Sequence, residues 1–262
     1  MWRASTLDNH AARTKCAHPA FNACDEMKIL VIIPTYNERE NLRPLIREIL
    51  TGPNVHVLVV DDDSPDGTGE VADAIASEQP GRVEVLHRRG RRGLGRSYVE
   101  GMQRALASDA DVICQMDADF SHDPKYLADL VAGTSAFDVV IGSRYLQGVS
   151  VVNWPLRRIF LSAAANHYIR LVTRLAVRDC TSGFRCWRRE ALERVPLQTI
   201  VSDGYAFLVE MLYLADRLGC RIGEVPIIFV ERRQGHSKLT GAIVLESLIT
   251  PWRLVSRQLL RS

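Results

Sequence analysis

The chain has 262 residues, of which 47% are hydrophobic and 24% charged, as is typical of a soluble globular protein with one substantial domain. Its net charge of +2 does not favour nucleic-acid binding, and no apolar run approaches the ~18 residues needed to span a membrane. The six cysteines include no C-x-x-C pair, so we expect reduced thiols of a cytoplasmic protein and no disulfide framework.

Hydrophobic periodicity along the first half of the chain predicts an α/β fold. Residues 1–26 are polar and aperiodic, so we expect a disordered tail there, without the apolar core of a signal peptide. Further along, short apolar runs alternate with segments of helical spacing. Predicted strands cover 28–34, 55–61, 82–87, 111–116 and 137–142, and predicted helices cover 38–50, 68–79, 94–108 and 124–132. This alternation indicates βαβ units and a mostly parallel central sheet with helices on both faces.

The second half is predicted to be richer in helix. A long amphipathic helix is expected over 156–177, a loop over 178–190, a helix near 204–218 and a pair of strands within 220–231. We therefore divide the chain into the tail, a main domain over 27–240 and an amphipathic helical segment over 241–262, with a fresh turn starting at Thr250-Pro251. The last segment repeats arginine every four residues around Trp252. It is expected either to lie in a membrane interface or to pack on the domain with its arginines in water.

Two aspartates follow the fourth predicted strand in the stretch "VICQMDADFSHDP". Residues i and i+2 of an extended chain point to the same side, so the carboxylates of Asp117 and Asp119 are expected to face one spot. Two like charges held so close repel unless a cation lies between them, and a pair of oxygen ligands favours Mg²⁺ or Mn²⁺. Asp123, before Pro124, is better explained as the cap of the next helix.

Three polar clusters follow predicted parallel strands: "PTYNE", "DDDSPDGT" and "MDADF". Ligands of such sheets bind beyond the carboxyl ends of the strands, so the three clusters predict one site. A metal with open positions would bind diphosphate oxygens, which favours a nucleotide-sugar site. Glu38 and Asp61 would then contact ribose or base, while Asp62 or Ser64 could instead cap the next helix.

Other classes lack their motifs. The turn after the first strand is "PTYNERE", without the G-x-G-x-x-G of a dinucleotide-binding dehydrogenase, and neither a P-loop nor G-x-S-x-G occurs. Arginines are dense from Arg144 to Arg194, which indicates an anionic partner such as a phosphate or an anionic lipid surface.

A series of motifs carries a family resemblance. "IIPTYNERENL", "VVDDDSPDGT", "GLGRSYVEGM", "MDADFSHDP", "GSRY", "NWPLRR", "DCTSGFRCWRREAL", "DGYAF", "EVPI" and "FVERRQGHSK" occur in order from Lys28 to about Thr240. Together they resemble the polyprenol-phosphate (dolichyl-phosphate) mannose synthases, which are inverting GT-A glycosyltransferases of family two. The resemblance implies a GT-A glycosyltransferase domain over 27–240 that depends on Mg²⁺ or Mn²⁺. It also implies transfer of mannose from GDP-mannose to the phosphate of a polyprenyl monophosphate, giving a β-linked product.

The resemblance also implies roles for individual residues. The nucleoside would be lined by Pro34, Tyr36, Glu38, Val59 and Asp61. Metal and diphosphate would be bound by Asp117, Ala118 and Asp119, with Ser121 where some relatives carry a glutamine as a further metal ligand. Phosphates would be held by Arg144, Arg232 and Lys238, and the acceptor phosphate by Arg158. Asp119, Arg144 and Arg232 would act in catalysis.

An acceptor phosphate is consistent with the chemistry of the chain. A phosphate monoester has a second pKa of about 6, so near neutral pH it is already largely a dianion and needs cations, not a general base. If the acceptor were a hydroxyl, Asp203 would be the candidate base, although capping the helix that begins near Gly204 explains it better.

Two alternatives remain open from the sequence. The donor could be UDP-glucose, or the chain could be a catalytically silent subunit that binds nucleotide sugars. Many members of the resembling family carry C-terminal transmembrane helices, whereas no segment of this sequence is predicted to be one. We therefore expect peripheral association with the cytoplasmic face of a membrane, or docking on a membrane protein.

Overall fold

The computed structural model describes residues 27–231 and a helix over 241–259, with side chains of that helix described over 248–257. Two adjacent parallel strands of the main sheet are β1 (Ile29–Thr35) and β2 (Val55–Asp61). Side chains of β1 alternate between two apolar clusters: Val31 and Ile33 pack in one, and Leu30 and Ile32 in the other. Because both faces of the strand are buried, helices must cover both sides of the sheet.

Seven strands form the main sheet in the order β3-β2-β1-β4-β7-β5-β8. The further strands are β3 (Val83–His87), β4 (Val112–Gln115), β5 (Val139–Ser143), β7 (Arg185–Arg188) and β8 (Ile222–Pro226). Neighbouring strands are parallel except at β7, which runs antiparallel to both β4 and β5. A separate parallel pair joins β6 (Val151–Val152) to β9 (Phe229–Val230).

Helices cover both faces of this sheet. One face carries α1 (Arg39–Ile49), α2 (Thr68–Glu78) and α4 (Leu127–Gly133). The other carries α3 (Leu94–Leu106), α6 (Arg189–Glu193) and α7 (Gly204–Arg217). A third apolar cluster joins α7 to α5 (Leu156–Thr173) and α8 (Gly241–Leu259). The predicted mostly parallel α/β architecture is confirmed.

Two predictions about strands were wrong. The expected loop over 178–190 contains β7, which inserts between β4 and β5 because its residues pair in register with both strands. The two strands expected to pair within 220–231 do not pair with each other. Instead β8 extends the main sheet beside β5, and β9 pairs with β6. The pairing of β7, β8 and β9 was therefore decided by strands that are distant from them in the chain.

The helix boundaries also differ from the prediction in the second half. Helix α5 ends at Thr173 because Arg174 adopts a left-handed conformation with φ of 62°, where its N–H closes the last turn on the carbonyl of Arg170. Pro251 lies inside α8 and does not start a new turn. The prolyl residue and Thr250 are both buried, so packing of α8 against α5 and α7 keeps one continuous helix.

The prediction that every cysteine is a free thiol was wrong for one pair. Cys114 on β4 and Cys186 on β7 face each other directly in the antiparallel register, with Cα atoms 4.2 Å apart, and form a disulfide. They are 72 residues apart in the chain, so their spacing carries no sign of the pairing. Cys180 and Cys220 are free and buried, whereas Cys16 and Cys24 lie outside the described residues.

Candidate active site

The candidate site lies where the strand order of the sheet reverses. From β1 the chain builds outward through β2 to β3, and β4 then returns to the opposite side of β1. Such a reversal opens a crevice at the carboxyl ends of β1 and β4, and ligands of α/β sheets bind there. The segment after β1 and the Asp117–Asp119 segment follow the carboxyl ends of these two neighbouring strands.

The two aspartates of the D-x-D segment have different surroundings. The strand ends at Gln115, and the chain then turns, with Phe120 at a φ of 61°. Asp117 is 36% exposed at its side chain and accepts a hydrogen bond from Tyr98 Oη at 3.3 Å. Asp119 is 6% exposed, and its Oδ1 accepts hydrogen bonds from the backbone N–H and the hydroxyl of Ser121. The more open carboxylate is therefore that of Asp117.

The buried side chain of His122 holds the backbone of this turn by a hydrogen bond. His122 Nδ1 accepts the backbone N–H of Asp117 at 3.1 Å, and the ring packs against the rings of Phe184 and Phe229. Burial lowers the pKa of His122, and the opposing effect of the Asp117 and Asp119 charges does not overcome it. A neutral ring can accept the Asp117 N–H, so His122 holds the backbone of the carboxylate segment.

The predicted nucleoside residues lie at the other side of the crevice. Two hydrogen bonds bring the β1 and β2 ends together: Asn37 N–H donates to Ser64 Oγ at 3.2 Å and Glu38 N–H to Thr68 Oγ1 at 3.0 Å. Pro34, Tyr36 and Glu38 are half-buried there. In contrast, the side chains of Val59 and Ala118 lie in the apolar core, so only their backbones could contact a ligand.

The three consecutive aspartates that begin at the last residue of β2 have three different roles. Asp61 is buried and accepts from the hydroxyls of Thr35 and Ser64. Asp62 is buried in an ion pair with Arg88, while Asp63 remains exposed. None of them caps α2, and the prediction that Asp62 or Ser64 does so was wrong. The carboxylate of Asp66 accepts the N–H and hydroxyl of Thr68 instead.

Arg144 is buried behind the site in an ion pair that the sequence did not predict. Its Nε and Nη2 each donate to the carboxylate of Asp179 at 2.7 Å, and Nη2 also donates to Thr181 Oγ1 at 2.8 Å. Nη1 enters no hydrogen bond with the described part of the chain, so it is the nitrogen that could reach a phosphate. The sequence carried only a weak sign of this ion pair, because Asp179 is one of just three acids in the arginine-rich stretch from Arg144 to Arg194.

Arg158 lies in the first turn of α5. Its Nη1 donates to Glu231 Oε1 at 2.6 Å, and its guanidinium lies over the ring of Trp154 at 4.0 Å from the centroid. Trp154 packs edge-on against Phe229, which also contacts the ring of His122, so aromatic rings connect Arg158 to the carboxylate turn. The remaining predicted phosphate ligands, Arg232 and Lys238, lie outside the described residues.

Two capping predictions are confirmed. Asp123 accepts the N–H of Lys125 at the start of the turn Pro124–Tyr126. Asp203 Oδ1 accepts the N–H of Gly204 at 2.8 Å and that of Gly95 at 2.7 Å, which ties the start of α7 to the start of α3. One oxygen of the Asp203 carboxylate, Oδ1, therefore accepts both backbone donors.

Comparison with known proteins identifies the class. The sequence profile described as Glycosyl transferase family 2 matches residues 30–195, and the chain belongs to this family. Glucosyl-3-phosphoglycerate synthase from Mycobacterium tuberculosis, solved with Mn²⁺ and UDP-glucose, superimposes with a TM-score of 0.66 over 91% of this chain and 81% of that chain. The sequences are 22% identical. The predicted GT-A fold of a glycosyltransferase is thereby confirmed.

Closer relatives narrow the resemblance. Polyprenol monophosphomannose synthase from Mycolicibacterium smegmatis is 44% identical over 234 residues, covering 88% of both proteins. Undecaprenyl-phosphate mannosyltransferase from Micrococcus luteus is 45% identical over 234 residues, covering 88% of this chain and 96% of that protein. The resemblance to polyprenol-phosphate mannose synthases is therefore confirmed across most of the chain.

Proposed function

We propose that the protein transfers mannose from GDP-mannose to the phosphate of a polyprenyl monophosphate, with inversion, giving a polyprenyl phosphate β-mannose. The observation that carries this proposal is the position of Asp117 and Asp119 at the reversal of the sheet, opposite the polar ends of β1 and β2. That arrangement suits a nucleotide sugar. The relatives at 44–45% identity are named polyprenol monophosphomannose synthase and undecaprenyl-phosphate mannosyltransferase, names that indicate a polyprenyl phosphate acceptor.

Asp117 and Asp119 would hold Mg²⁺ or Mn²⁺, with Ser121 as a further candidate ligand. The partly exposed Asp117 carboxylate and the oxygen-only donor set suit a hard divalent cation. Two carboxylates would leave positions at the cation for diphosphate oxygens. Over 27–231 and 248–257, no cluster of three or more His, Cys, Asp or Glu side chains that could hold a metal ion is found. A bound cation supplies charge stabilisation to the leaving nucleoside diphosphate. The Ser121 hydroxyl donates to Asp119 and would orient that carboxylate.

The acceptor is better explained as a phosphate than as a hydroxyl. Asp203, the candidate base for a hydroxyl, accepts two backbone N–H groups at Oδ1 and so caps α7 and ties it to α3. A phosphate dianion needs only cations to orient it, and arginine does this through paired N–H donors. Arg158 and Nη1 of Arg144 are candidates among the described residues. Arg232 and Lys238 would supply further positive charge from the motif "ERRQGHSK".

A lipid acceptor requires contact with a membrane, and two adjacent helices support peripheral association. Helices α5 and α8 pack together, with Tyr168 Oη donating to the carbonyl of Leu248. Both expose large apolar side chains, including Phe160 at 73% and Trp252 at 61%. None of the helices within the described part of the chain is long and apolar enough to cross a bilayer. The exposed apolar surface therefore suits insertion into the interface of the cytoplasmic leaflet.

A radiolabel transfer assay tests this function. Purified protein would be incubated with labelled GDP-mannose, Mg²⁺ or Mn²⁺ and a short polyprenyl phosphate. We expect label in the organic phase, loss of transfer in Asp119→Asn, and full transfer in the control Asp129→Ala, which changes an exposed acid of α4. Transfer from UDP-glucose but not GDP-mannose would overturn the donor. Nucleotide binding without transfer from any donor would instead indicate a silent subunit.

A further inference from the structure

The loop between β3 and α3 places an arginine against the predicted nucleoside end of the site. Arg92 Nη1 donates to Tyr36 Oη at 2.9 Å, and Nη2 donates to the carbonyl of Asp63 at 2.8 Å and to its Oδ2 at 3.2 Å. The guanidinium carbon lies 4.7 Å from the centroid of the Tyr36 ring. Arg92 therefore spans the ends of β1 and β2.

The base of this loop is anchored, so the reach of Arg92 is defined. Arg88 is buried and donates to Asp62, Ser97 and Glu100. Gly93 N–H donates to Asp62 Oδ2 at 2.8 Å, one residue beyond Arg92. Between these anchors the arginine side chain is 46% exposed and can turn without disturbing the core.

The partner of Arg92 indicates what it would bind. The side chain of Asp63 is 69% exposed, and its backbone has a φ of 57°, a conformation uncommon for residues other than glycine. The Arg92–Asp63 pair is neutral overall, and its carboxylate would repel a diphosphate. An uncharged group that accepts hydrogen bonds, such as the edge of a nucleobase, suits the pair better.

We propose that Arg92 is a specificity-determining residue that selects guanine in the donor nucleotide. The inference rests on the proposed function, in which the donor is GDP-mannose. Guanine presents two adjacent acceptors, O6 and N7, that match paired arginine N–H donors. Adenine places an amino donor where guanine has O6, and uracil has no second ring acceptor equivalent to N7. Both N–H groups of Nη2 donate to Asp63 and one N–H of Nη1 donates to Tyr36. To read O6 and N7 with Nη1 and Nη2, the guanidinium would release the Asp63 carbonyl and Tyr36 Oη and keep its contact with Asp63 Oδ2.

Calorimetric titration of nucleoside diphosphates tests the inference. Wild type, Arg92→Ala, Arg92→Lys and the control Arg91→Ala, an exposed neighbour in the same loop, would be titrated with GDP, UDP and 7-deaza-GDP. We expect Arg92→Ala to weaken GDP binding about tenfold or more with little change for UDP. Wild type should bind 7-deaza-GDP more weakly than GDP, whereas Arg92→Ala should bind the two equally. Arg92→Lys keeps the charge but not the paired donors, so it should resemble Arg92→Ala.

The outcomes separate this inference from the proposed function. If wild type prefers GDP and Arg92→Ala keeps the same GDP-to-UDP preference, the role of Arg92 is overturned while the donor stands. An equal loss for UDP and GDP would also overturn it, because that pattern reports general damage to the site. A wild-type preference for UDP would overturn the proposed donor itself, and the guanine-selecting role with it. Arg91→Ala should match wild type with every nucleotide.

Discussion

The guanidinium of Arg144 and the carboxylate of Asp179 form a buried, bidentate ion pair. Burial alone would raise the pKa of Asp179, but the charge and hydrogen bonds of Arg144 outweigh it, so the pKa lies below its ordinary value. Asp179 therefore stays ionised and fixes the orientation of Arg144. The backbone N–H of Arg144 also donates to this carboxylate, at 3.0 Å.

Replacing Asp179 by asparagine should destabilise the fold strongly. Asp179→Asn leaves the buried Arg144 charge without its counter-charge, and breaking such a pair costs about 3–5 kcal/mol of unfolding free energy. Urea unfolding followed by circular dichroism would measure the change. As a control, Glu78→Gln removes an exposed partner of Arg43 and should leave the urea midpoint unchanged. A midpoint for Asp179→Asn equal to that of wild type would contradict the structural role of the pair.

The same pair predicts how stability depends on pH. Because the pKa of Asp179 is lowered in the folded state, its contribution is complete above the ordinary aspartate pKa of about 3.9. The contribution is lost as pH falls through the lower folded-state pKa, since the unfolded chain then binds more protons. Wild type should therefore lose stability more steeply than Asp179→Asn below about pH 4. Urea midpoints between pH 3 and pH 7 would measure this, and parallel curves for the two proteins would refute it.

Gly101 should not tolerate alanine, although it lies within a helix. Helix propensity alone predicts a gain of about 1 kcal/mol for Gly101→Ala. In the structure, however, the new Cβ would lie 2.7 Å from Ile32 Cγ2 and 3.1 Å from Val60 Cγ2, where α3 packs on the sheet. Overpacking of this kind costs about 1–3 kcal/mol, so we expect net destabilisation in thermal unfolding. Gln103→Ala, on the exposed side of the same helix, should be neutral or stabilising.

Replacing Tyr98 by phenylalanine should raise the metal concentration needed for activity more than it lowers kcat. Its hydroxyl donates to Asp117 at 3.3 Å, so Tyr98→Phe removes a group that orients a candidate metal ligand. Loss of such an outer contact weakens metal binding by about 10-fold or more, whereas saturating metal should restore most of kcat. Transfer activity titrated with Mn²⁺ would separate the two effects. Tyr168→Phe, which removes a hydroxyl contact between α5 and α8, should leave the metal titration unchanged.

The exposed apolar side chains of α5 and α8 should determine membrane binding. The double variant Phe160→Ser, Trp252→Ser removes two large exposed side chains from these helices, so the bound fraction should fall in sedimentation with anionic phospholipid vesicles. Transfer to a short, water-soluble acceptor should be largely retained. Phe137→Ser, an exposed aromatic before β5, is the matched control and should still bind. Equal binding of all three proteins would exclude this surface as the membrane contact.

The three consecutive aspartates at the end of β2 illustrate what a pattern of residue types leaves open. Asp61, Asp62 and Asp63 are identical in chemistry, and the sequence placed them together at one strand end. Their roles differ because the backbone directs one into the turn, one towards Arg88 and one towards solvent and Arg92. A sequence-based assignment to the nucleoside could therefore single out Asp61 but could not identify the Asp63–Arg92 pair.

Local signals were sufficient for the alternating strands and helices from β1 to β5 and for the Asp117–Asp119 turn at a strand end. Periods of two and 3.6 residues are short-range properties, so they are visible in any single stretch of chain. Insertion of β7, the Cys114–Cys186 disulfide and the Arg144–Asp179 pair depend on residues 35 or more positions apart meeting in space. These long-range contacts depend on which strands pair in the sheet and on how the helices pack over it, because packing of the whole chain selects each partner.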